Sequence, residues 1–386
     1  MRIALINPII QTIDRPKSFF GLFSRRPKKQ LQTDTQINFV KLATAMAELG
    51  HEVTLFISDC FRPKESHVPG GMGNGSLKIC YLPTRIQALF SPAYAPLLPS
   101  LYKELKKGNF DVIQSSELTQ PCTWIASLTG KPVFVWEELD QYFSRRLPRM
   151  VQKLWHKTME EGLKKKVSVI PRSQAAADFL KKRGWEHIHS PLPTPVDTEV
   201  FKPLEDAVEK HLLTVTRLAP DRGLSFLLEL MEKLVAVRPQ LKLVVVGSGS
   251  EEDKFRAEIL KRNLSQNIEL ISLSLSHREL NHVYNESTMT LITTLGGLFP
   301  YTASESMACG KPVISRFGRA LKDLIHEGET GYLADTVETM KDRILHLLEN
   351  PAQRKKMGEE ARHLALKMDF KNIAERFIRH YQRAKD

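Results

Sequence analysis

The sequence predicts an α/β chain of two doubly wound, parallel-sheet domains, and three observations predict it. Short apolar runs alternate with helical patterns along the whole length, the rhythm of parallel strands joined by crossover helices. A proline-dense connector, Ser190 to Asp197, interrupts that rhythm near the middle, after which it restarts. At 386 residues, the chain is too long for one typical domain and suits two of ordinary size.

The elements follow in order. Arg2–Ile6 reads as a first strand that ends before Pro8. Thr35–Leu49 carries an apolar stripe at helical spacing (Ile37, Val40, Leu42, Ala45, Met46, Leu49), and Gly50-His51 stops it. Strands are then expected at Glu52–Ile57, Leu77–Leu82, Asp111–Gln114, Pro132–Trp136 and Val167–Ile170. After Pro203 the second set falls at Leu212–Thr216, Leu241–Val246, Ile268–Ser272, Thr288–Thr293, Pro312–Ser315 and Gly331–Ala334, with an amphipathic helix over Leu224–Val237. This divides the chain into residues 1–192, residues 193–368 and a tail, 369–386. The tail's helix, about Lys371 to Arg383, is expected to cross back to the first domain, and the two domains to face each other across a cleft. There is no solenoid repeat and no low-complexity tract.

Composition narrows the class. Hydrophobic content of 42% and charged content of 26% describe a globular protein. Cys60, Cys80, Cys122 and Cys309 are scattered, fit no zinc or disulfide spacing, and read as reduced thiols in a cytoplasmic protein. The start of the chain reads as a strand rather than a signal peptide, and no apolar run is long enough to span a bilayer. The net charge of +12 is uneven. Residues 14–30 hold Arg15, Lys17, Arg25, Arg26, Lys28 and Lys29 among Phe19, Phe20, Leu22 and Phe23; residues 145–166 hold a second cluster around Trp155, ending in Lys164-Lys165-Lys166. Cations among aromatics suit an anionic membrane surface, at about 1 kcal/mol per cation, which would place the protein peripherally on the inner face. A solvated basic loop is the other reading. Nucleic acid is not expected, since no recognised binding signature accompanies the charge.

Two stretches carry chemistry. Gly297 to Ile314 joins a glycine-bearing loop to a short helix with one acid, Glu305, then a Gly-Lys-Pro break and a strand. A helix start attracts anions, and Glu305 one turn in would meet a ribose diol; an ordinary loop–helix–strand connection fits the same residues. Upstream, the Leu212–Thr216 run ends in a loop bearing Arg217 and Arg222, followed by Gly223. Guanidinium forks suit phosphate oxygens, and strand C-termini are where open α/β sheets bind ligands. Singly, either arginine reads as solvated surface. In the first half, Asp34, Glu117 and Glu137 are candidate ligand contacts (acceptor-side contacts under the resemblance described below), while Glu138 and Asp140 read as helix caps or partners of Arg145–Arg149. Glu117 and Glu137 admit both readings. No histidine spacing suggests a metal, and no serine has a nucleophile-elbow context.

These residues resemble a known family. Arg217-Leu218-Ala219-Pro220-Asp221-Arg222-Gly223, Leu243 to Gly249 and Glu305 to Ile314 look like the donor half of the retaining family-4 glycosyltransferases, and Pro193 to Pro203 and Gly328-Glu329-Thr330-Gly331 resemble its hinge and late turn. The likeness covers Pro193 to the C-terminus; the first half matches in outline. It implies a GT-B fold of two Rossmann-like domains, and transfer of a hexosyl unit, with retention, from a nucleotide-diphosphate sugar (UDP- or GDP-sugar) to a glycan or lipid-linked acceptor. No further cofactor and no metal are required. By the same likeness Arg217 and Arg222 hold the diphosphate and Glu305 the ribose. Gly247, Ile271, Leu273, Phe299, Pro300, Tyr301 and Thr302 contact the rest of the donor. The chain departs from the pattern at Gly297, where the first acid of Glu-x7-Glu stands in the family, and at Lys322, where another acid stands. The departures leave a second reading, a catalytically inactive scaffold or regulatory subunit that binds the nucleotide sugar.

Overall fold

A computed structural model describes residues 1–7, 34–58, 75–83, 97–140, 157–158, 160–273, 275–294, 301–316 and 318–383, with 34–37 described for backbone only. The basic stretch 14–30, residues 145–156 of the second basic run, and Cys60, Gly297, Phe299 and Pro300 lie outside the described residues.

The chain forms two compact units, Met1–Pro193 with Phe370–Asp386, and Thr194–Asp369. In the first unit, strands β1 (Arg2–Asn7), β2 (Glu52–Ser58), β3 (Ser76–Leu82), β4 (Val112–Ser116), β5 (Val133–Glu137) and β6 (Ser168–Pro171) form one sheet in the order β3-β2-β1-β4-β5-β6. Every described neighbour pair is parallel. The second unit repeats the plan with β7 (His211–Val215), β8 (Leu243–Val246), β9 (Ile268–Ile271), β10 (Ser287–Ile292), β11 (Val313–Ser315) and β12 (Gly331–Leu333), ordered β12-β11-β10-β7-β8-β9. Its described pairs are parallel too. Both sheets are apolar on both faces, as a parallel sheet covered by helices must be.

In the first unit one face, with Ile3, Leu5, Leu55 and Trp136, packs under the helices Asp34–Glu48 and Phe370–Arg383; the other, with Ala4, Ile6 and Val135, packs under Leu101–Lys107 and Pro121–Ser127. The last helix inserts Phe377 and Tyr381 into that core, and Tyr381 donates its hydroxyl to Gln114 Oε1. β4 runs two residues beyond the Gln114 end expected from sequence. Ser115 and Ser116 look like the polar close of a strand, yet both are buried and bonded, Ser115 Oγ to Thr123 Oγ1 (2.7 Å) and Ser116 Oγ to the Ile6 carbonyl (3.5 Å). In the second unit Val196 bridges to Asp369, and Thr198 Oγ1 donates to Asp369 Oδ2 at 2.7 Å. Cys80, Cys122 and Cys309 are free thiols. Among the described residues no helix is long and apolar enough to cross a membrane, and no cluster of three His, Cys, Asp or Glu could hold a metal ion.

Candidate functional site

In the second sheet β7 and β10 are neighbours whose onward connections leave in opposite directions, toward β8 and toward β11. Such a switch point, at the carboxyl ends of the strands, is where this architecture leaves a crevice for ligands. The loop after β7 carries Arg217 and Arg222 into it. Gly223 closes that loop in the left-handed region (φ 68°) as the N-cap of the helix Leu224–Val237, and a side chain there would collide with the Thr293 carbonyl beyond β10. Thr293 Oγ1 donates to the Arg222 carbonyl at 2.9 Å, which fixes the two strand ends together. Gly247, after β8, sits at φ 146°; any Cβ would collide with the Thr216 carbonyl. Its N–H donates to the Ile271 carbonyl (3.0 Å), and Leu218 N–H donates to the Ser248 carbonyl (2.9 Å). Four strand ends are thus bonded into one edge.

Arg217 is exposed and has no carboxylate partner among the described residues. Arg222 is half-buried, with Nε 3.6 Å from Asp221 Oδ1. Glu305 lies on the helix Tyr301–Ala308, where Tyr284 donates its hydroxyl to Oε2 at 2.8 Å. Burial first, then the Glu305 charge, pushes the Tyr284 hydroxyl well above its ordinary value, so it remains a donor. The same two causes raise the Cys309 thiol, whose Sγ lies 3.2 Å from Asn281 Oδ1. Tyr284 was not singled out by the sequence, because its partner is twenty-one positions away; its one signal is an aromatic in a short, mostly polar helix. Arg316, also missed, follows β11 and lays its guanidinium 4.2 Å over the Phe226 ring. Tyr301 and Thr302 open the helix, half-buried, and Ile271 ends β9. Leu273 is 74% exposed. Guanidinium groups and a positioned carboxylate along one edge suit a ligand with both anionic oxygens and neighbouring hydroxyls.

The first unit's acids are arranged differently. Glu137, ending β5, accepts from Leu118 N–H (2.7 Å) and Leu139 N–H (2.9 Å), so it holds two loops. Arg172, just after β6, sits between Glu138 (2.8 Å) and Glu117 (3.4 Å) and stacks 4.1 Å over Trp136. Glu138, expected to cap a helix or pair with Arg145–Arg149, is therefore an ion-pair partner of Arg172. Glu117 is buried at φ 63°; burial, then the Glu137 charge, holds its carboxyl well above the usual range. Asp34 is the first residue of the helix Asp34–Glu48.

Residues 196–364 match the family described as "Glycosyl transferases group 1". The chain is similar to trehalose synthase of Pyrococcus horikoshii (28% identical; 43% of this chain, 42% of the relative) and of Thermococcus litoralis (25% identical; 65% and 61%). It is also similar to a lipopolysaccharide 1,2-N-acetylglucosaminetransferase of Salmonella typhimurium (26% identical; 55% of each). The chain thus spans about half the length of these relatives. Two solved structures superpose over 99% of the chain: sucrose-phosphate synthase from Thermosynechococcus elongatus (TM-score 0.73, 16% identical, 98% of that chain) and Anabaena HepE in complex with UDP (TM-score 0.70, 14% identical, 100% of that chain). With the two parallel sheets, the likeness to these solved structures shows a two-domain α/β fold of the GT-B kind, and residues 196–364 are similar to the group 1 glycosyl transferases.

Proposed function

We propose that this protein is a retaining glycosyltransferase of family 4 that moves a hexosyl unit from a nucleotide-diphosphate sugar to a glycan or lipid-linked acceptor. The observation that carries the reading is the edge of the second sheet, where Arg217 and Arg222 on the loop after β7 and Glu305 on the helix Tyr301–Ala308 come from two separate segments of the matched region 196–364. The guanidinium groups of Arg217 and Arg222 would neutralise the diphosphate as it leaves and the sugar gains oxocarbenium character, the charge-stabilising role that dominates such transfers. Arg222 stands where the family usually has lysine and brings a planar fork instead of a point charge. Glu305, oriented by the Tyr284 hydroxyl, would take the ribose hydroxyls. The helix start at Tyr301 and Thr302 would offer N–H groups to the phosphates, with Gly247 giving the donor close access to the backbone and Ile271 and Leu273 beside the base. Phe299 and Pro300 belong to the same proposed donor contact by resemblance.

Support for a nucleotide sugar also comes from the neighbours: HepE is known in complex with UDP and with UDP-glucose. We place the acceptor at the first unit, near Asp34, Glu117 and Glu137, and the protein peripherally on an anionic membrane surface through 14–30 and 145–166. The test is a binding and turnover screen of UDP-, GDP- and ADP-sugars with Arg217→Ala/Glu305→Ala as control. One donor class binding the parent and not the variant is expected. Equal binding by both would sink the donor assignment, and binding without nucleotide release in the presence of acceptors would favour the inactive scaffold.

A further inference from the structure

The helix Tyr301–Ala308, which carries Glu305, is gripped at its far end by a side chain outside the proposed chemistry. Arg362 belongs to the helix Pro351–Leu366, which meets it through small residues. Ala361 and Ala365 share a core with Ala303, Met307 and Ala308, and a Cβ at Gly358 would collide with the Gly310 carbonyl. That close approach lets the half-buried Arg362 guanidinium reach three carbonyls. Its Nη1 donates to Ala308 (2.6 Å), the last residue of the Glu305 helix, and to Phe201 (2.9 Å); its Nη2 donates to Thr198 (3.4 Å). A cation at a helix C-terminus meets both the unpaired carbonyls and the negative end of the dipole.

Thr198 and Phe201 lie on the segment by which the chain enters the second unit, at Thr194. That segment is fixed to the one by which the chain leaves: Val196 N–H donates to the Met368 carbonyl (3.0 Å), and Thr198 donates to Asp369. Further on, Lys202 N–H donates to Asn281 Oδ1 (3.0 Å) and Leu204 N–H to Asn285 Oδ1 (2.8 Å), both on the helix His277–Asn285. Tyr284 of the same helix meets the Phe201 ring edge-on (centroids 5.9 Å apart, planes at 82°) and gives its hydroxyl to Glu305. Glu305 is thus tied twice to one segment, through Tyr284 and Phe201 and through its own helix end and Arg362. A planar guanidinium fork holds carbonyls of two segments in fixed relation, which the flexible ammonium of lysine does less well.

We infer that Arg362 is a positioning residue for the donor site: it locks the Glu305 helix to the entry segment 194–204, so that ribose binding at Glu305 and the order of that segment depend on one another. This rests on the proposal that Glu305 takes the ribose hydroxyls. Arg362 acts through the helix and not on the ligand. The dependence is reciprocal: whatever the segment contributes to nucleotide affinity, the bound nucleotide returns as order in the segment.

The test uses the full chain, as parent, Arg362→Ala and Arg362→Lys, with hydrogen exchange and with titration by UDP, GDP, ADP and pyrophosphate. Without ligand, Arg362→Ala is expected to exchange faster at 196–204 and at 301–308 together, while β7 and β8 keep the parent's protection. Affinity for the nucleotide that the parent binds should fall roughly fivefold or more, with pyrophosphate binding unmoved. That nucleotide should slow exchange at 196–204 in the parent and not in Arg362→Ala, and Arg362→Lys should recover part of the affinity. Should Arg362→Ala not fold, Phe201→Leu removes the ring against Tyr284 and carries the same expectations.

Exchange that rises evenly through 194–369 overturns the inference and makes Arg362 an ordinary packing residue. So does equal weakening of nucleotide and pyrophosphate, or a bound nucleotide that leaves 196–204 unchanged in the parent. A parent that binds none of the three nucleotides sinks the donor reading instead. Paired, local loss of protection in ligand-free Arg362→Ala would then still uphold the lock, and its absence would sink that too.

Discussion

The two units share one topology and have opposite electrostatics at their switch points. At β7–β10 Arg217 stands exposed with no carboxylate partner among the described residues, and the carboxylate of Glu305 is oriented by a neutral tyrosine. At β1–β4 and the strands beside it the guanidinium of Arg172 is buried between two acids, Glu117 and Glu138. One topology thus carries two different arrangements of charge at its strand ends, and the proposed donor site belongs to the edge whose arginines are the more exposed.

The comparison breaks most visibly at Arg172. Arg172→Ala leaves buried acids without their cation and should cost about 3–5 kcal/mol in denaturant melts. A loss below about 1 kcal/mol would mean that the first edge is not self-compensated. Arg217→Ala should behave in the opposite way: stability within about 0.5 kcal/mol of the parent, but UDP affinity lower by roughly 10- to 100-fold, the loss expected for charge-assisted bonds to phosphate. Calorimetric titration against UDP and uridine sharpens this, since only the diphosphate should discriminate. Tyr284→Phe removes the donor that orients Glu305 and should cost about 1.5 kcal/mol or somewhat more, with the ribose-bearing ligand weakened and free phosphate unaffected.

The smallest effect concerns pH. The Glu117 carboxyl, raised by burial and by Glu137, binds its proton more tightly folded than unfolded. Its contribution to stability is complete below the ordinary carboxylate value and is lost as pH rises toward the folded one. Glu117→Gln cannot titrate, so urea midpoints of the parent should fall with rising pH relative to that variant. Parallel curves would show that Glu117 ionises normally.

Much of this was legible before any coordinates. Strand–helix alternation is a periodic signal, and each sheet strand was located within a residue or two because buried parallel strands are continuous apolar runs. What sequence could not supply were relations across the chain. Arg172, which the sequence reading did not single out, meets Glu117 fifty-five positions earlier and stacks on Trp136. The first strand, expected to end at Ile6, runs one residue further, to the fully buried Asn7. Leu273, assigned to the donor contact by resemblance, lies beyond the end of β9 at Ile271, with its side chain largely exposed.

The helix Phe370–Arg383 has a consequence for the order of assembly. It supplies Phe377 and Tyr381 to the core that begins with Ile3. A chain emerging from the ribosome therefore holds an incomplete first unit throughout synthesis of Thr194–Asp369, which has all its own strands and can close first. Synthesis order and folding order are inverted, so a stop codon after residue 369 should damage the earliest part of the protein while sparing the part made just before it.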